Sequence, residues 1–337
     1  MVTIGVIGAG YWGTNVVRTF QNMDGCSLKY VADTRPGRRE FIAKNFPQTQ
    51  VIDDYKTILQ DPEIDAVSIV TPVETHFEIA REAILAGKHI YVEKPFTHKS
   101  ESAAALVSLA KDHNVKILVG HLFEYHPVVE KVKTLIDEGC IGDVYLIEAR
   151  RMNLRPPETK YNVIWDLGPH DFSIINMLLG ESPQAVSANA HCFVKPDLID
   201  NTNINLKYTG NRHAQVNLNW LTPNKTRELC VYGTNGVMVY NDIEPVDKIR
   251  IYGLGIDTRI GADAASSHAL GYKPGDIRIP TIPGGQPLEI ECRHFIDAVR
   301  DDSAIKSDGE DGLNVVRMIE LANNSILNDG RWLSFAS

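Results

Sequence analysis

Two short motifs contain side chains that could move a proton to or from a substrate. Lys94 lies at the centre of a Glu-Lys-Pro motif, and Asp166 precedes His170 by four residues in the segment 165–171. A neutral imidazole can accept the proton of an alcohol, while a carboxylate and an ammonium group orient the imidazole and tune its pKa. The motifs therefore predict acid–base chemistry on a hydroxyl group. Alternatively, Lys94 is a surface lysine before a turn proline, and Asp166 caps a helix in which His170 is merely packed.

A glycine-rich turn close to the start of the sequence predicts a dinucleotide-binding site. The pattern G-x-G-x-x-G stands between an apolar run, residues 4–7, and an amphipathic stretch, residues 14–23. Its first glycine permits a tight turn, its second lets the backbone approach a pyrophosphate, and its third lets the helix pack on the strand. The helix N-terminus adds free N–H groups and the positive end of its dipole. The residues expected at the cofactor are Gly8, Gly10, Tyr11, Trp12 and Gly13.

An acidic residue indicates which dinucleotide is bound. Asp33 ends the next apolar run, twenty residues after the last glycine of the turn. A carboxylate at this place can accept hydrogen bonds from the hydroxyl groups of a ribose, which favours NAD. Arg35 keeps NADP open as an alternative, because a nearby arginine can accept a 2′-phosphate.

The elements that must position these groups change character near residue 121. Before it, five short β-branched runs (4–7, 28–32, 66–70, 89–92 and 116–119) alternate with helical patterns such as 75–85 and 100–113. This alternation predicts a Rossmann domain, residues 1–121, with a doubly wound parallel sheet. Ligands bind outside the carboxyl ends of such strands, so Lys94 is expected at the cofactor edge. The bond that follows it, to Pro95, is a candidate for the cis form.

Residues 122–337 are predicted to form an α+β domain with an open, mainly antiparallel sheet. Helices are expected at 127–138 and 170–179, and strands at 144–150, 185–193, 202–208, 213–220, 227–232 and 237–240. Short turns between consecutive strands are typical of antiparallel pairing. The segment 253–287 is rich in Gly, Pro, Ser and Asp and is a candidate lid or substrate loop. Two further helices are expected at 288–300 and 312–327.

Taken together, the motifs resemble those of the glucose–fructose oxidoreductase, inositol dehydrogenase and rhizopine-catabolism (Gfo/Idh/MocA) oxidoreductases. The residues that carry the resemblance are Gly8-x-Gly10-x-x-Gly13, Thr71-Pro72 with His76, Glu93-Lys94-Pro95, Asp166-x-Gly168-x-His170 and the closing segment 311–325. It implies that Lys94, Asp166 and His170 are catalytic. It also implies that Thr71, Pro72, His76, Glu93 and Lys94 join the glycine turn in binding NAD. One departure is Val73, where many members carry an Asn near the nicotinamide.

Within the family, the segments 120–127 and 162–171 look most like nucleotide-sugar 3-dehydrogenases. This resemblance implies that a hydride passes to NAD from C3 of a sugar such as UDP-N-acetylglucosamine, while the hydroxyl proton goes to His170 or Lys94. A 3-ketoreductase, or a free-sugar or inositol dehydrogenase, is an alternative on the same scaffold. A non-enzymatic NAD(H) sensor is a remote one, because a sensor has no use for Lys94, Asp166 and His170. The family also implies a homodimer or homotetramer built through the C-terminal sheet.

Cations and aromatic residues are candidates for substrate binding. Arg150, Arg151, Arg155 and Lys160 gather upstream of Asp166 and could meet a diphosphate. Adjacent residues of a strand face opposite ways, so only part of this group can reach one ligand, and ion pairs are an equal alternative. Tyr125 and His126 could stack on a uracil or pack in a core, and we favour packing. The full substrate-binding set is predicted as Lys94, Tyr125, Arg150, Arg151, Arg155, Asp166 and His170.

Bulk properties are those expected of a soluble metabolic enzyme. The 337 residues are 43% apolar and 23% charged, and the net charge of −9 argues against nucleic acid or an anionic membrane as a partner. No apolar run approaches the length of a membrane span, and the first strand begins at once, so we expect no signal peptide. Five scattered cysteines predict buried thiols in a reducing cytoplasm and neither a disulfide framework nor a zinc site. No metal is expected.

Overall fold

The chain divides into two structural units, and the first is assembled from two separate stretches. The computed structural model describes residues 1–155, 161–253, 255–257, 271–273 and 275–335. Unit 1 comprises Met1–His126 with Gly285–Glu320, and unit 2 comprises Pro127–Gly284 with Leu321–Ser337. The division differs from the predicted domains 1–121 and 122–337, because the helix over Pro287–Asp301 packs against elements of unit 1.

Unit 1 contains a six-stranded parallel sheet. The strands are β1 (Val2–Ile7), β2 (Cys26–Ala32), β3 (Gln50–Ile52), β4 (Ala66–Ile69), β5 (His89–Glu93) and β6 (Ile117–Gly120). Their order is β3-β2-β1-β4-β5-β6, which confirms the predicted Rossmann sheet. The prediction missed β3, because three residues are too few to show a hydrophobic pattern.

Helices connect the strands of both units. They are α1 (Tyr11–Gln21), α2 (Pro36–Asn45), α3 (Lys56–Gln60), α4 (His76–Leu85), α5 (Ser100–Asp112), α6 (Pro127–Asp137), α7 (Val163–Leu179), α8 (Pro287–Asp301) and α9 (Gly309–Leu327). Short 3-10 helices span Val73–Thr75, Leu122–Tyr125 and Thr209–Asn211. None of the helices in the described ranges is both long enough and apolar enough to cross a lipid bilayer.

The glycine turn between β1 and α1 requires two of its glycines for steric reasons. Gly8 has a φ of +99°, which side chains rarely tolerate. A Cβ atom on Gly13 would lie 2.2 Å from the carbonyl oxygen of Gly8, so α1 could not begin where it does. The bond from Lys94 to Pro95, at the end of β5, is cis.

Unit 2 contains a nine-stranded mixed sheet. Its strands are β7 (Val144–Met152), β8 (Ala185–His191), β9 (Asn201–Lys207), β10 (His213–Asn219), β11 (Thr226–Gly233), β12 (Gly236–Asn241), β13 (Ile249–Tyr252), β16 (Ile277–Arg278) and β17 (Leu333–Ser334). The order is β16-β13-β12-β11-β7-β10-β9-β8-β17. Among the strands in the described part of unit 2, only β7 and β10 pair in parallel, which confirms the prediction of a mainly antiparallel sheet.

The helix that carries the Asp166–His170 motif begins earlier than predicted. The expected span was 170–179, whereas α7 begins at Val163 and contains Pro169. Asn162 caps the helix, because its side-chain oxygen accepts hydrogen bonds from the backbone N–H groups of residues 164 and 165 at 3.1 and 3.3 Å. Gly180, with a φ of 71°, ends the helix as predicted.

The predicted lid segment, residues 253–287, lies partly outside the described residues. Its described parts include β14 (Gly255–Asp257) and β15 (Gly271–Lys273), which form an antiparallel two-stranded sheet. They also include β16, which pairs with β13 and so adds an edge strand to the large sheet. The segment is therefore not a plain loop, and its role as a lid stays a prediction.

Candidate active site

A cavity of about 640 Å³ lies at the carboxyl ends of β1, β2 and β4. Eight of the predicted cofactor residues line it: Gly8, Gly10, Tyr11, Trp12, Gly13, Asp33, Thr71 and Pro72. The residue before α1 is Gly10, so no capping side chain competes for the N–H groups of the first turn. A helix N-terminus of this kind is suited to a pyrophosphate. The close backbone approach at the glycine turn and the uncapped helix start fit a dinucleotide.

Asp33 is held at the wall of this cavity by a network of hydrogen bonds. Its carboxylate accepts from the backbone N–H of Ala9 at 2.8 Å and from the backbone N–H of Arg35 at 2.9 Å. The Arg35 guanidinium donates to both carboxylate oxygens, at 2.9 and 2.8 Å. Burial raises the pKa of Asp33, but these hydrogen bonds outweigh it and lower the pKa to about 2. The residue is therefore an ionised acceptor, as ribose recognition requires.

Arg38 contributes to the same turn, although sequence reasoning missed it. Its guanidinium donates to the carbonyl oxygens of Ala9 and Gly10 at 2.5 and 3.1 Å, and to the hydroxyl of Thr14 at 2.6 Å. These contacts tie α2 to the glycine turn. No local sequence signal marks the residue, because its partners lie more than twenty positions away.

His76 supports the cavity from behind and does not line it. Its side chain is only 1% exposed. The ring nitrogen Nδ1 lies 3.0 Å from the carbonyl oxygen of Pro95, and Nε2 lies 2.9 Å from that of Thr71. His76 thus connects the segments that follow β4 and β5. The predicted contact with cofactor is replaced here by a contact with the backbone of two cofactor-side segments.

Glu93 is also buried, and it lies between the glycine turn and Lys94. Its Oε1 accepts a hydrogen bond from the indole N–H of Trp12, and its Oε2 accepts one from the backbone N–H of Lys94 at 3.0 Å. Burial raises the pKa of Glu93, while the charge of Lys94 and the Trp12 hydrogen bond act in the opposite direction. Glu93 is absent from the lining of the cavity, so it acts in this structure on other residues of the site.

A buried histidine–carboxylate cluster follows β6 in the same unit. His121 Nδ1 lies 2.5 Å from the carboxylate of Asp311 and 3.4 Å from that of Glu124. Burial would lower the pKa of His121, but the two carboxylates raise it; burial and the charge of Asp311 raise the pKa of Glu124. The three ligand atoms lie within 4.8 Å of one another, so they could also serve as donors to a divalent cation. Sequence reasoning missed this cluster.

In unit 2, Asp166 and His170 lie one helical turn apart on α7, as the predicted i, i+4 spacing requires. Asp166 Oδ2 accepts hydrogen bonds from Arg155 Nη1 at 2.7 Å and from the indole N–H of Trp220 at 3.1 Å. The carboxylate is therefore held by a cation and a neutral donor. His170 is partly exposed on the same helix.

Only Arg155 of the predicted diphosphate-binding arginines lies beside Asp166. Arg151 is buried, and its guanidinium makes a two-fold hydrogen bond to Asp171 at 2.9 and 2.8 Å, so its predicted role in substrate binding is corrected to a core ion pair. Arg150 points to the opposite face of β7, where it lies 3.8 Å from Glu228. The alternation along the strand separates the two arginines, and Lys160 lies outside the described residues.

Tyr125 packs in the core of unit 1. Its ring is 3% exposed, and its hydroxyl lies 2.9 Å from the side-chain oxygen of Ser307. A side chain in this position cannot stack on a uracil, so the predicted substrate contact is wrong and the packing alternative holds. The His126 ring stacks on Phe123 with 6.0 Å between ring centroids.

Comparison with known proteins decides the family. A model of the oxidoreductase family with an NAD-binding Rossmann fold matches residues 2–121, and a model of the GFO/IDH/MocA C-terminal domain matches residues 129–239. The chain belongs to the Gfo/Idh/MocA oxidoreductase family. It is an enzyme whose first unit binds NAD, in a family of NAD(P)-dependent sugar and polyol dehydrogenases that act on CH–OH groups.

Relatives with different substrates are equally similar to this Gfo/Idh/MocA protein. It is 26% identical over 337 residues to an inositol 2-dehydrogenase of Rhizobium meliloti, with 96% of this chain and 97% of the relative covered. It is 26% identical over 323 residues to a UDP-N-acetylglucosamine 3-dehydrogenase of Acidithiobacillus ferrooxidans, with 93% of each covered. A crystal structure of a putative oxidoreductase from Magnetospirillum magnetotacticum MS-1 superposes with a TM-score of 0.80 at 29% identity, covering 95% of this chain and 99% of that one.

Proposed function

We propose that this protein oxidises the C3 hydroxyl of a nucleotide sugar, UDP-N-acetylglucosamine or a close analogue, with Lys94, Asp166 and His170 as its catalytic groups. The observation that carries the proposal is the pair Asp166 and His170 on α7, with Asp166 fixed by Arg155 and Trp220. A carboxylate held in this way can orient a neighbouring imidazole as a base.

Oxidation of an alcohol removes a proton from the hydroxyl group and a hydride from the carbon, and each catalytic residue has a separate role in it. His170 accepts the hydroxyl proton, Asp166 stabilises the imidazolium that results, and the ammonium of Lys94 stabilises the negative charge that develops on the oxygen. NAD, when bound, supplies an acceptor for the hydride at C4 of its nicotinamide. Gly8, Gly10, Gly13 and Asp33 would hold it, because they line the cavity.

A nucleotide sugar is favoured by the cation beside the catalytic carboxylate. The Arg155 side chain is 43% exposed while it contacts Asp166, so an anion in the solvent can approach it. A diphosphate is the anionic part of a nucleotide sugar, and arginine recognises phosphate with paired donors. The curated UDP-N-acetylglucosamine 3-dehydrogenase covers almost the whole chain, which is consistent with this assignment.

An inositol is the second candidate substrate, because an inositol 2-dehydrogenase is as similar to this chain as the nucleotide-sugar enzyme. Inositol carries no phosphate, so it would make no use of Arg155 as an anion site. Arg155→Gln therefore separates the candidates: loss of its hydrogen bond to Asp166 should lower kcat with either substrate, whereas KM should rise for a nucleotide sugar and stay nearly unchanged for an inositol.

The product identifies the substrate directly. The enzyme is incubated with NAD and, separately, UDP-N-acetylglucosamine, free N-acetylglucosamine and myo-inositol, and each mixture is then reduced with borodeuteride. Deuterium at C3 of the UDP-sugar is the expected result. Free N-acetylglucosamine should be turned over far more slowly, because it lacks the remote binding energy of the nucleotide. Efficient turnover of inositol or of the free sugar would overturn the substrate assignment.

Substitution of the catalytic groups tests the mechanism. His170→Ala and Lys94→Ala should each lower kcat by about 10²–10⁴-fold, the range for loss of a positioned acid or base. His113→Ala and Lys44→Ala, both at exposed positions, are the matched controls and should keep wild-type turnover. Calorimetric titration with NAD should show that all four variants still bind the cofactor. Near wild-type turnover of both catalytic variants would contradict the proposal.

We also propose that the large sheet of unit 2 joins copies of the chain into a homodimer or homotetramer. The face of the sheet opposite α7 presents polar side chains, including Glu148, Arg150, Asn203 and Gln215, around a shallow cavity of about 380 Å³. Polar, hydrated contact surfaces are common in protein interfaces. Sedimentation equilibrium of the wild type and of Asn203→Arg tests the assignment: the variant should dissociate, and a wild-type monomer would contradict it.

A further inference from the structure

The Trp12 side chain contacts two parts of unit 1, the dinucleotide cavity and the buried residue Glu93. Trp12 is the second residue of α1, in the glycine turn, and it lines the dinucleotide cavity. Its indole N–H donates to Oε1 of Glu93, a residue 81 positions later in the chain. A tryptophan has a single hydrogen-bond donor, so this donor is fully committed to Glu93.

Glu93 carries the contact onward to Lys94. The second carboxylate oxygen, Oε2, accepts the backbone N–H of Lys94 at 3.0 Å. One oxygen of the carboxylate thus faces the cofactor turn, and the other fixes the backbone of the lysine. Because the side chain is buried, neither hydrogen bond is readily replaced by water.

Gly120, the last residue of β6, leaves the space that this carboxylate occupies. A Cβ atom at this position would lie 3.2 Å from both Cδ and Oε1 of Glu93. Contacts of that length are tighter than ordinary packing, so a larger residue would press on the carboxylate. The glycine is therefore part of the arrangement that lets Glu93 face Trp12.

We propose that Trp12 is a positioning residue, which links occupation of the dinucleotide cavity to the placement of Lys94 through the carboxylate of Glu93. A dinucleotide in the cavity restrains the indole, the indole restrains the carboxylate, and the carboxylate restrains the backbone of the lysine. The catalytic consequence rests on the proposed function of Lys94, whereas the structural link does not.

Hydrogen–deuterium exchange measures the link without any turnover. NAD is the probe, and the peptide that covers residues 89–96 is followed by mass spectrometry. In the wild type, NAD should slow exchange in this peptide about fivefold or more, since a restrained hydrogen bond opens less often. Trp12→Phe keeps the aromatic ring and removes only the donor, so most of that protection should disappear while calorimetric NAD affinity changes less than about threefold.

Steady-state kinetics measure how much the contact between Trp12 and Glu93 contributes to turnover. With the sugar that the wild type turns over fastest, Trp12→Phe should lower kcat about tenfold, as expected when one hydrogen bond to a carboxylate is lost, and change KM for NAD little. Glu93→Gln leaves one of its two donors without an acceptor and should lower kcat by at least as much. Since both changes break the same chain of contacts, the double variant should be no slower than Glu93→Gln alone. Trp332→Phe, at a half-exposed tryptophan of unit 2, is the control and should behave as the wild type.

The outcomes separate this inference from the proposed function. Unchanged protection of residues 89–96 in Trp12→Phe would overturn the link, and so would a double variant whose loss of kcat equals the product of the two single losses. If Lys94→Ala retained turnover, the proposed function would fail, and the exchange experiment would still decide whether Trp12 and Lys94 are coupled.

Discussion

At the residue scale, the pairing of Asp33 with Arg35 should decide the cofactor. The carboxylate is ionised and faces the cavity, and the guanidinium is already committed to it. A 2′-phosphate would bring like charges together, so we expect NAD to be used at least about tenfold more efficiently than NADP. Asp33→Ala removes the carboxylate and releases Arg35 for a phosphate, which should reduce that preference by about tenfold or more.

Steady-state kinetics with both cofactors check this prediction. Asp53→Ala is the matched comparison, because Asp53 lines the same cavity but does not contact Arg35 in the described structure. It should leave the preference nearly unchanged. Equal use of NADP by the wild type would contradict the role given to Asp33.

A second residue-scale prediction concerns the buried acid Glu291. Its Oε2 accepts from the hydroxyl of Tyr91 at 2.8 Å, while Oε1 has no hydrogen-bond partner among the described residues. Burial, and then the charge of Glu93, raise its pKa well above the ordinary value. The folded protein thus binds this proton more tightly than the unfolded chain. Protonation of Glu291 therefore stabilises the folded protein. This contribution to the free energy of unfolding is complete below the pKa of the unfolded chain, about 4.5, and is lost as the pH rises towards the higher pKa of the folded protein.

Glu291→Gln should therefore gain stability relative to the wild type as the pH increases. Urea unfolding at several pH values from 5 to 8 measures the difference, which should be smallest at pH 5 and grow with pH. Glu289→Gln, at an exposed position of the same helix, should give a curve parallel to that of the wild type. If the Glu291→Gln curve were also parallel to the wild type, the buried carboxyl would not bind its proton more tightly in the folded protein.

Sequence alone was sufficient for the residues whose roles are local. The glycines, Asp33 and the spacing of Asp166 and His170 depend on a few neighbouring positions, so their placement could be predicted. Contacts between residues that are far apart in the sequence could not be predicted in this way. His121 meets Asp311 across 190 positions, and neither residue has a neighbouring motif that points to the other.

At the element scale, strand β7 illustrates how alternation separates two adjacent arginines. Arg151 faces α7 and is paired with Asp171 in the core, whereas Arg150 faces away and is largely exposed. Asp171→Asn would deprive a buried guanidinium of this counter-charge, so the free energy of unfolding should fall by about 3–5 kcal/mol. Glu228→Gln makes the same chemical change beside Arg150 and should cost less than about 1 kcal/mol.

Urea denaturation of the two variants checks this contrast. Equal losses in both would show that the buried pair contributes no more than the exposed one. The prediction of the alternation itself needed only the strand period. Which of the two arginines faces inward could not be predicted without the position of α7, and the start of that helix was predicted seven residues too late.

Most elements could be predicted because their patterns are long. The missed strands include β3 and β13, which have three and four residues, and β17, which has two; such short segments show little periodicity. The β16 strand was hidden for the same reason within a segment that is rich in turn-forming residues. Pairing order, including the parallel neighbours β7 and β10, depends on contacts that no local pattern encodes.

At the scale of the whole molecule, unit 1 should not be stable as residues 1–126 alone. That fragment would lack Glu291 beside Tyr91, and Ser307, whose carbonyl oxygen accepts the Val119 N–H at 2.8 Å and whose hydroxyl donates to the Val119 carbonyl oxygen at 2.8 Å. We expect the fragment to unfold non-cooperatively and to bind NAD weakly. A chain in which residues 1–126 are joined to 285–320 by a Gly/Ser linker should unfold cooperatively and bind NAD. Circular dichroism during heating and calorimetric titration check both, and a cooperative fragment 1–126 with full NAD affinity would contradict the expectation.

The discontinuity of unit 1 also has a consequence for how the protein is made. Tyr91 and Val119 emerge from the ribosome long before residues 285–320 are synthesised, and that later segment contains their hydrogen-bond partners Glu291 and Ser307. At typical rates of translation, the intervening residues 127–284 take on the order of ten seconds to synthesise. During that interval the surface of unit 1 against which α8 later packs is exposed to solvent. Unit 1 can therefore complete its folding only late in synthesis. Until then the nascent chain exposes a surface that could aggregate, so we expect it to depend on chaperones during that time.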